Sequence, residues 1–275
     1  MGIGYDIIGD IAIIKFDRDV SENNKKIFAN NFLLKNKNIK TILEKTDKIK
    51  GRLRIAKTKF IAGEDKRITI HNENYCKIKL NVDKTYFSSR LSNERKVVSE
   101  EIIKKIKNNG KILVMFAGVA PFPLVIARFL KNAKKKATII SNEINREACK
   151  YAEENIKLNK LEDYIKVIQC DAKKLPEKRV VPASPNSSAT SQKFDFIMMA
   201  RPNLKETFLK TALKLSKKST IIYYHGFGEM QKVLDEIKKE TKNKISKIKI
   251  RKAGEIAPFK YRWNAKFAVR WFINW

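Results

Sequence analysis

Val114-Met115-Phe116-Ala117-Gly118-Val119-Ala120-Pro121-Phe122 decides the fold. An apolar run, Lys111 to Met115, enters this stretch, and a helical pattern, Pro121 to Leu130, leaves it. The small residues between them let the backbone turn closely around a ligand. Acidic residues close the next two strand-like runs: Glu143 in Ser141-Asn142-Glu143-Ile144-Asn145, and Asp171 in Gln169-Cys170-Asp171. A carboxylate one βα unit beyond such a turn accepts hydrogen bonds from a ribose. The three pieces together predict a nucleoside-containing cofactor. Asp171 suits S-adenosylmethionine better than a dinucleotide.

Outward from this turn, strands and helices alternate. Strand-like segments lie near 111–116, 136–142, 164–169, 194–199 and 218–225, and helical segments near 121–132, 145–158, 203–216 and 229–242. That interval predicts an α/β fold with a doubly wound, mostly parallel sheet. Residues 245–250 and 265–275 alternate like strands around a loop at 254–263. A terminal antiparallel hairpin on a parallel sheet fits class I methyltransferases better than dehydrogenases. Ahead of this unit a hairpin with a Gly9-Asp10 turn, a helix over 23–35 and short strands at 41–45, 54–62, 68–70 and 76–82 suggest a small α+β module. The expected division is a small domain over 1–84 and a Rossmann-like domain over 85–275. Pro182 to Gln192 is low in complexity and is expected to be a flexible loop within the second domain.

Charge narrows the partner. Sixty Lys and Arg against 29 Asp and Glu leave +31 at pH 7, a field that attracts polyanions and makes RNA the leading expectation. Basic residues cluster in Lys45 to Lys66 and Lys238 to Lys252, and aromatics interleave with cations in Phe259-Lys260-Tyr261-Arg262-Trp263. Trp271 and Trp275 are expected beneath the last strand. Cys76, Cys149 and Cys170 lack CxxC spacing, and His71 and His225 are the only histidines. Neither a metal site nor a Ser-His-Asp triad is indicated. No Walker, GxSxG or HExxH segment occurs. The longest apolar run, Ile112 to Ala127, is too short for a membrane span and is broken by Gly118, Pro121 and Pro123. No leader pattern opens the chain, so a soluble, cytoplasmic monomer is expected.

Three segments carry a resemblance: Tyr86-Phe87-Ser88-Ser89-Arg90-Leu91-Ser92-Asn93-Glu94-Arg95, Phe116-Ala117-Gly118-Val119-Ala120-Pro121-Phe122, and Met199-Ala200-Arg201-Pro202. Together the chain resembles the archaeal–eukaryotic tRNA guanosine-37 N1-methyltransferases and their wyosine-pathway relatives, whose segments read approximately YFSPRLxxER, DxFAGVGPF and NLP. The resemblance implies S-adenosylmethionine as cofactor and tRNA as partner. It implies Glu94 as general base and an arginine of the small domain facing guanine O6, with Arg54 the better match and Arg52 possible. Tyr86, Phe116, Gly118, Glu143, Asp171 and Pro202 would then border the cofactor, and Arg52, Arg90 and Arg95 would contact RNA phosphates. No separate N-terminal tRNA-elbow domain is expected.

The chain departs from that pattern at Val114, Ser89, Ala120 and Ala200, where the family carries an acid, a proline, a glycine and an asparagine. Two alternatives therefore stand beside N1-methylation. One is aminocarboxypropyl or methyl transfer on a wyosine precursor. The other is a non-catalytic tRNA-binding relative.

Overall fold

The computed structural model describes residues 4–46, 55, 57–177, 193–242, 244–257 and 259–270. Arg52, Arg54, the 182–192 segment, Trp271 and Trp275 lie outside the described residues.

The chain opens on β1 (Tyr5–Ile8) and β2 (Ile11–Ile14), paired antiparallel across Gly9-Asp10. Gly9 has φ +56°, and a side chain there would collide with the Thr69 hydroxyl and the Ile70 carbonyl. Helix α1 (Glu22–Lys35) starts where the Ser21 hydroxyl accepts from the Asn24 amide at 3.2 Å. Strand β3 (Thr41–Lys45) then runs parallel to β2, and β4 (Thr58–Gly63) returns antiparallel to β3. Among the described residues strand β4 begins at Thr58, and the expected start at Arg54 lies outside them. Apolar residues of β2, β3 and β4 pack with Ala29 of α1. A separate hairpin follows, β5 (Ile68–Glu73) with β6 (Cys76–Asn81).

The larger unit is built from α2 (Ser92–Lys105), β7 (Gly110–Met115), α3 (Pro121–Asn132), β8 (Ala137–Glu143), α4 (Arg146–Leu158) and β9 (Ile165–Gln169). It continues with β10 (Phe194–Met199), α5 (Leu209–Lys214), β11 (Ser216–Gly228), α6 (Met230–Thr241), β12 (Lys249–Ala257) and β13 (Lys260–Ala268). The seven strands are ordered β12-β13-β11-β10-β7-β8-β9, parallel except for β13, which is antiparallel to β11 and β12. The expected parallel sheet and its antiparallel closing hairpin are both present. Ile112 to Met115 are fully buried, as a strand covered on both faces requires.

Helices α3 and α4 hold the β5–β6 hairpin against the sheet. Asn155 accepts from the Lys79 amide at 2.7 Å and donates to the Lys79 carbonyl at 2.9 Å. Asn159 does the same for Lys77, at 2.9 and 2.6 Å. Two side-chain amides on one helix face thus pair the edge of β6 as a strand would. Asn155 also donates to the Val119 carbonyl, which ties the hairpin to the turn after β7.

Two segments differ from expectation. Residues 203–216 were expected to be helical, but only Leu209–Lys214 is. The buried Arg201 explains the difference: its Nη1 donates to the carbonyls of Leu204 and Glu206, both at 2.7 Å, and so captures acceptors a helix would use. The closing hairpin is also longer than expected, with β12 and β13 extending through the proposed 254–263 loop. Polar residues disguised β13, because Arg262 and Asn264 face inward there.

Candidate functional site

The turn after β7 is held by Glu143. One carboxylate oxygen accepts from the Gly118 amide at 2.8 Å, and the other from the amides of Ile144 and Asn145, each at 2.8 Å. A carboxylate has about four acceptor positions, so three are committed to backbone and one is left for a ligand. Phe116, Gly118 and Ala120 all have positive φ, at 60°, 57° and 69°. A Cβ on Gly118 would stand 3.3 Å from the Tyr86 carbonyl, a tight approach that the carbonyl would have to relieve by a small shift. Ala120 adopts the left-handed geometry with a side chain, a cost of about 1 kcal/mol where the resembled family has glycine. Val114 is wholly buried in the core.

A small pocket of about 20 Å³ opens beside this turn, lined by Phe116, Glu143, Ile144, Asp171, Pro202 and Phe208 among others. Asp171 caps the turn after β9 by accepting from the Lys173 amide at 3.1 Å. Two carboxylates at the ends of adjacent strands, between apolar walls, suit the hydroxyls and ring of an adenosine. The volume equals roughly one water. Leu204 and Phe208 line it, and Phe208 stacks edge-on to Phe116 with centroids 4.9 Å apart.

A larger cleft of about 340 Å³ lies between the first sheet and the Rossmann-like unit. Its wall includes Tyr86 to Leu91, and Pro202 lines both cavities. Tyr86 thus faces the larger cleft. Arg90 is exposed at its rim and donates to Asp6 at 2.6 Å.

Glu94 stands behind this wall at 3% exposure. Its carboxylate accepts from Arg251 and from Asn264, and His225 Nε2 lies 3.5 Å away. Burial raises its pKa, but the donors at His225, Arg251 and Asn264 outweigh burial and hold it well below the usual carboxylate range. Burial lowers the pKa of His225, which favours the uncharged ring at neutral pH.

Arg95 corrects an expectation. It is 1% exposed, its Nε and Nη2 are committed to the two oxygens of Glu73, and Nη2 also donates to the Ser88 carbonyl at 3.0 Å. Its guanidinium lies 5.2 Å from the Phe87 ring centroid and 5.9 Å from that of Phe122. Held through Nε and Nη2 inside the protein, it is a strut between β5 and α2 rather than a phosphate contact. Arg52 and Arg54 lie outside the described residues. Sequence reasoning missed Arg201, read Arg251 and Arg262 only as members of basic clusters, and missed Asn264. The signal for the last two was alternation in β13, which sets Arg262, Asn264 and Lys266 on one face.

Comparison with known proteins agrees with this geometry. Residues 69–251 match the family described as TRM5/TYW2 methyltransferase domain, and residues 2–66 the one described as TYW2 N-terminal domain. A Pyrococcus abyssi protein named tRNA (guanine(37)-N(1))-methyltransferase Trm5b is 35% identical over 82% of this chain and 60% of its own length. A Nanoarchaeum equitans protein named tRNA (guanine(37)-N(1))/4-demethylwyosine(37)-methyltransferase Taw22 is 45% identical over 58% of this chain and 49% of its own. The chain thus spans half to three fifths of these curated relatives. The structure of aTrm5 with tRNALeu superposes with TM-score 0.81 at 26% identity, over 97% of this chain and 72% of that one. Pyrococcus horikoshii TYW2 with MeSAdo gives TM-score 0.73 at 26% identity, over 97% and 90%. The match over residues 69–251, two thirds of the chain, shows that the chain belongs to the TRM5/TYW2 methyltransferase family.

Proposed function

We propose that this protein transfers a methyl group from S-adenosylmethionine to N1 of guanosine 37 of tRNA, beside the anticodon. The observation that carries this is the meeting of two cavities at Pro202, one flanked by Glu143 and Asp171, the other walled by Tyr86 to Leu91. Relatives named as guanine-37 N1-methyltransferases, and solved relatives holding tRNA or MeSAdo, support it. Residues 1–84 serve as the RNA-contacting domain and 85–275 as the transfer domain. The enzyme works as a cytoplasmic monomer, and its charge of +31 draws the RNA in.

Glu143 and Asp171 would hold the adenosyl moiety, with Phe116 and the turn at Gly118 against it. The cofactor, when bound, supplies an electrophilic methyl group. Guanine N1 carries a proton in the neutral base and becomes nucleophilic only by losing it. Glu94 takes that proton, and a cation near O6 stabilises the negative charge that develops there. Arg54, with Arg52 as the alternative, is assigned to O6 on the resemblance. Arg90 and Arg52 contact phosphates. Glu94 is ionised, as a base must be, but lies under cover, so RNA binding has to expose it.

A second reading has specific support. Residues 2–66 match the TYW2 N-terminal domain, and Ala200 stands where the methyltransferase pattern has asparagine. Wyosine-pathway transfer, of a methyl or an aminocarboxypropyl group, uses the same two cavities. Incubation with unmodified tRNA transcript and cofactor, followed by nucleoside mass spectrometry, decides: N1-methylguanosine is expected, and an aminocarboxypropyl adduct reverses the order. Absence of cofactor binding in equilibrium dialysis would leave a non-catalytic tRNA binder.

No helix among the described residues is long and apolar enough to cross a membrane.

A further inference from the structure

Among the described residues of the larger unit, three arginines are at least nine-tenths buried: Arg95, Arg201 and Arg262. A buried guanidinium is tolerated when its charge and donors are matched. Arg95 has Glu73, and Arg201 has two backbone carbonyls and Glu236 at 3.7 Å. Arg262 differs. Among the described residues its Nη2 reaches only the Tyr86 hydroxyl, at 3.4 Å, and its Nε has no acceptor; its guanidinium stands 5.3 Å from the Phe227 ring centroid.

The surrounding carboxylates are otherwise engaged. Glu94 is taken by Arg251, Asn264 and His225, Glu101 by Lys266 and Tyr223, and Asp6 by Arg90. Glu255 lines the same cleft but is exposed and makes no ion pair with Arg262 among the described residues. Arg262 itself lines the 340 Å³ cleft. It is a desolvated cation, open to a cavity, with a donor to spare.

Its place on β13 adds a second constraint. Asn264, two residues on and on the same face, holds Glu94. The donor set of Arg262 therefore lies beside the support of the proposed base, and guanine N1 and O6 belong to adjacent ring atoms. We propose that Arg262 is an anion-binding residue of the cleft, taking an anionic oxygen of the bound nucleotide. This rests on the reaction proposed above. The shared chemistry is an oxygen bearing negative charge, either O6 as N1 loses its proton or a phosphate of the target nucleotide.

The test uses the full chain, unmodified tRNA transcript and S-adenosylmethionine. Arg262→Met keeps an unbranched stem against Phe227 and removes the charge, while Arg262→Lys keeps the charge without the fork. If the oxygen is O6, Arg262→Met lowers the single-turnover rate on the order of 100-fold with RNA affinity unchanged. If it is a phosphate, affinity weakens and the salt slope shrinks by about one, with the rate at saturating RNA preserved. Arg262→Lys recovers part of either loss. Wild-type rate, affinity and salt slope in Arg262→Met overturn the proposal. So does a loss fully explained by a lowered melting temperature, with the folded fraction reacting normally. Failure of the function is a separate outcome: the wild-type protein then modifies no guanosine, while affinity and salt slope still read Arg262.

Discussion

Arg251 on β12 donates to the carboxylate of Glu94 in the first turn of α2, joining residues 157 apart in sequence. The two differ in exposure: the Arg251 side chain is 37% exposed, that of Glu94 only 2%. Arg251 is therefore the partner of Glu94 that solvent, or an RNA phosphate, reaches first. Glu94→Gln keeps the shape and one acceptor but removes the ability to take a proton. The single-turnover rate is expected to fall by about 10²–10⁴-fold with cofactor affinity unchanged. Rapid-quench methyl transfer, alongside equilibrium dialysis, checks this, and an unaltered rate removes Glu94 from the mechanism.

Acid should destabilise the fold in two stages. His225 is buried with a folded pKa below the ordinary 6.5, so the unfolded chain binds its proton first. The stability from keeping it neutral is complete above about 6.5 and is lost as pH falls towards the folded value. Glu94 follows the same sign from its ordinary 4.5, losing its contribution as pH falls through a still lower folded pKa. Melting temperature is expected to be level from pH 8 to about 6.5, to decline below that, and to steepen below about 4.5. A level profile down to pH 5 would contradict the neutral, buried imidazole.

Arg95 and Glu73 are both 2% exposed at the side chain, and each is the other's counter-ion. Burial raises the Glu73 pKa, yet hydrogen bonds from His71 and Arg95 keep it below its usual value. Removing one member strands the other, so Glu73→Gln should cost about 3–5 kcal/mol in denaturant unfolding. Arg95→Met should do similarly while the salt slope for RNA stays at the wild-type value. A shallower slope with stability intact would restore Arg95 as a phosphate contact.

What the sequence made legible was local and periodic. The βα turn at Gly118, the carboxylates at Glu143 and Asp171, and the alternating elements are each read within a window of neighbours. The Glu94 cluster is not. Glu94 and Glu101 lie seven apart on one face of α2, and they meet Asn264 and Lys266, two apart on one face of β13. The matching periods become a contact only once the antiparallel β13 is laid beside β11, which no local pattern specifies. Arg95 misled for a related reason. In so basic a chain an arginine reads as solvent-exposed, and its partner Glu73 sits on the β5–β6 hairpin, away from α2 in sequence. The stretch at 203–208 was mistaken for helix because Arg201 overrides its propensity from outside the segment.

Arg201 stands where the family pattern has leucine, and its anchoring of Leu204 and Glu206 offers a test in the segment that closes the small pocket. Its guanidinium lies 5.0 Å from the Tyr224 ring centroid and 5.7 Å from that of Phe227, with Nε directed to the His225 carbonyl at 3.3 Å. Arg201→Leu fills the apolar space but leaves the two carbonyls without their shared donor. The segment should then detach, and trypsin should cut after Lys205 sooner than in the wild-type chain, as read by mass spectrometry. Arg201→Lys should not rescue it, since an ammonium cannot stack on two rings while bridging two carbonyls. Cofactor affinity distinguishes what the anchor does. Because Leu204 and Phe208 line the small pocket, a detached segment should speed both association and dissociation. Unchanged cleavage and unchanged cofactor kinetics in Arg201→Leu would mean that packing of Phe208 on Phe116, rather than Arg201, holds the pocket closed.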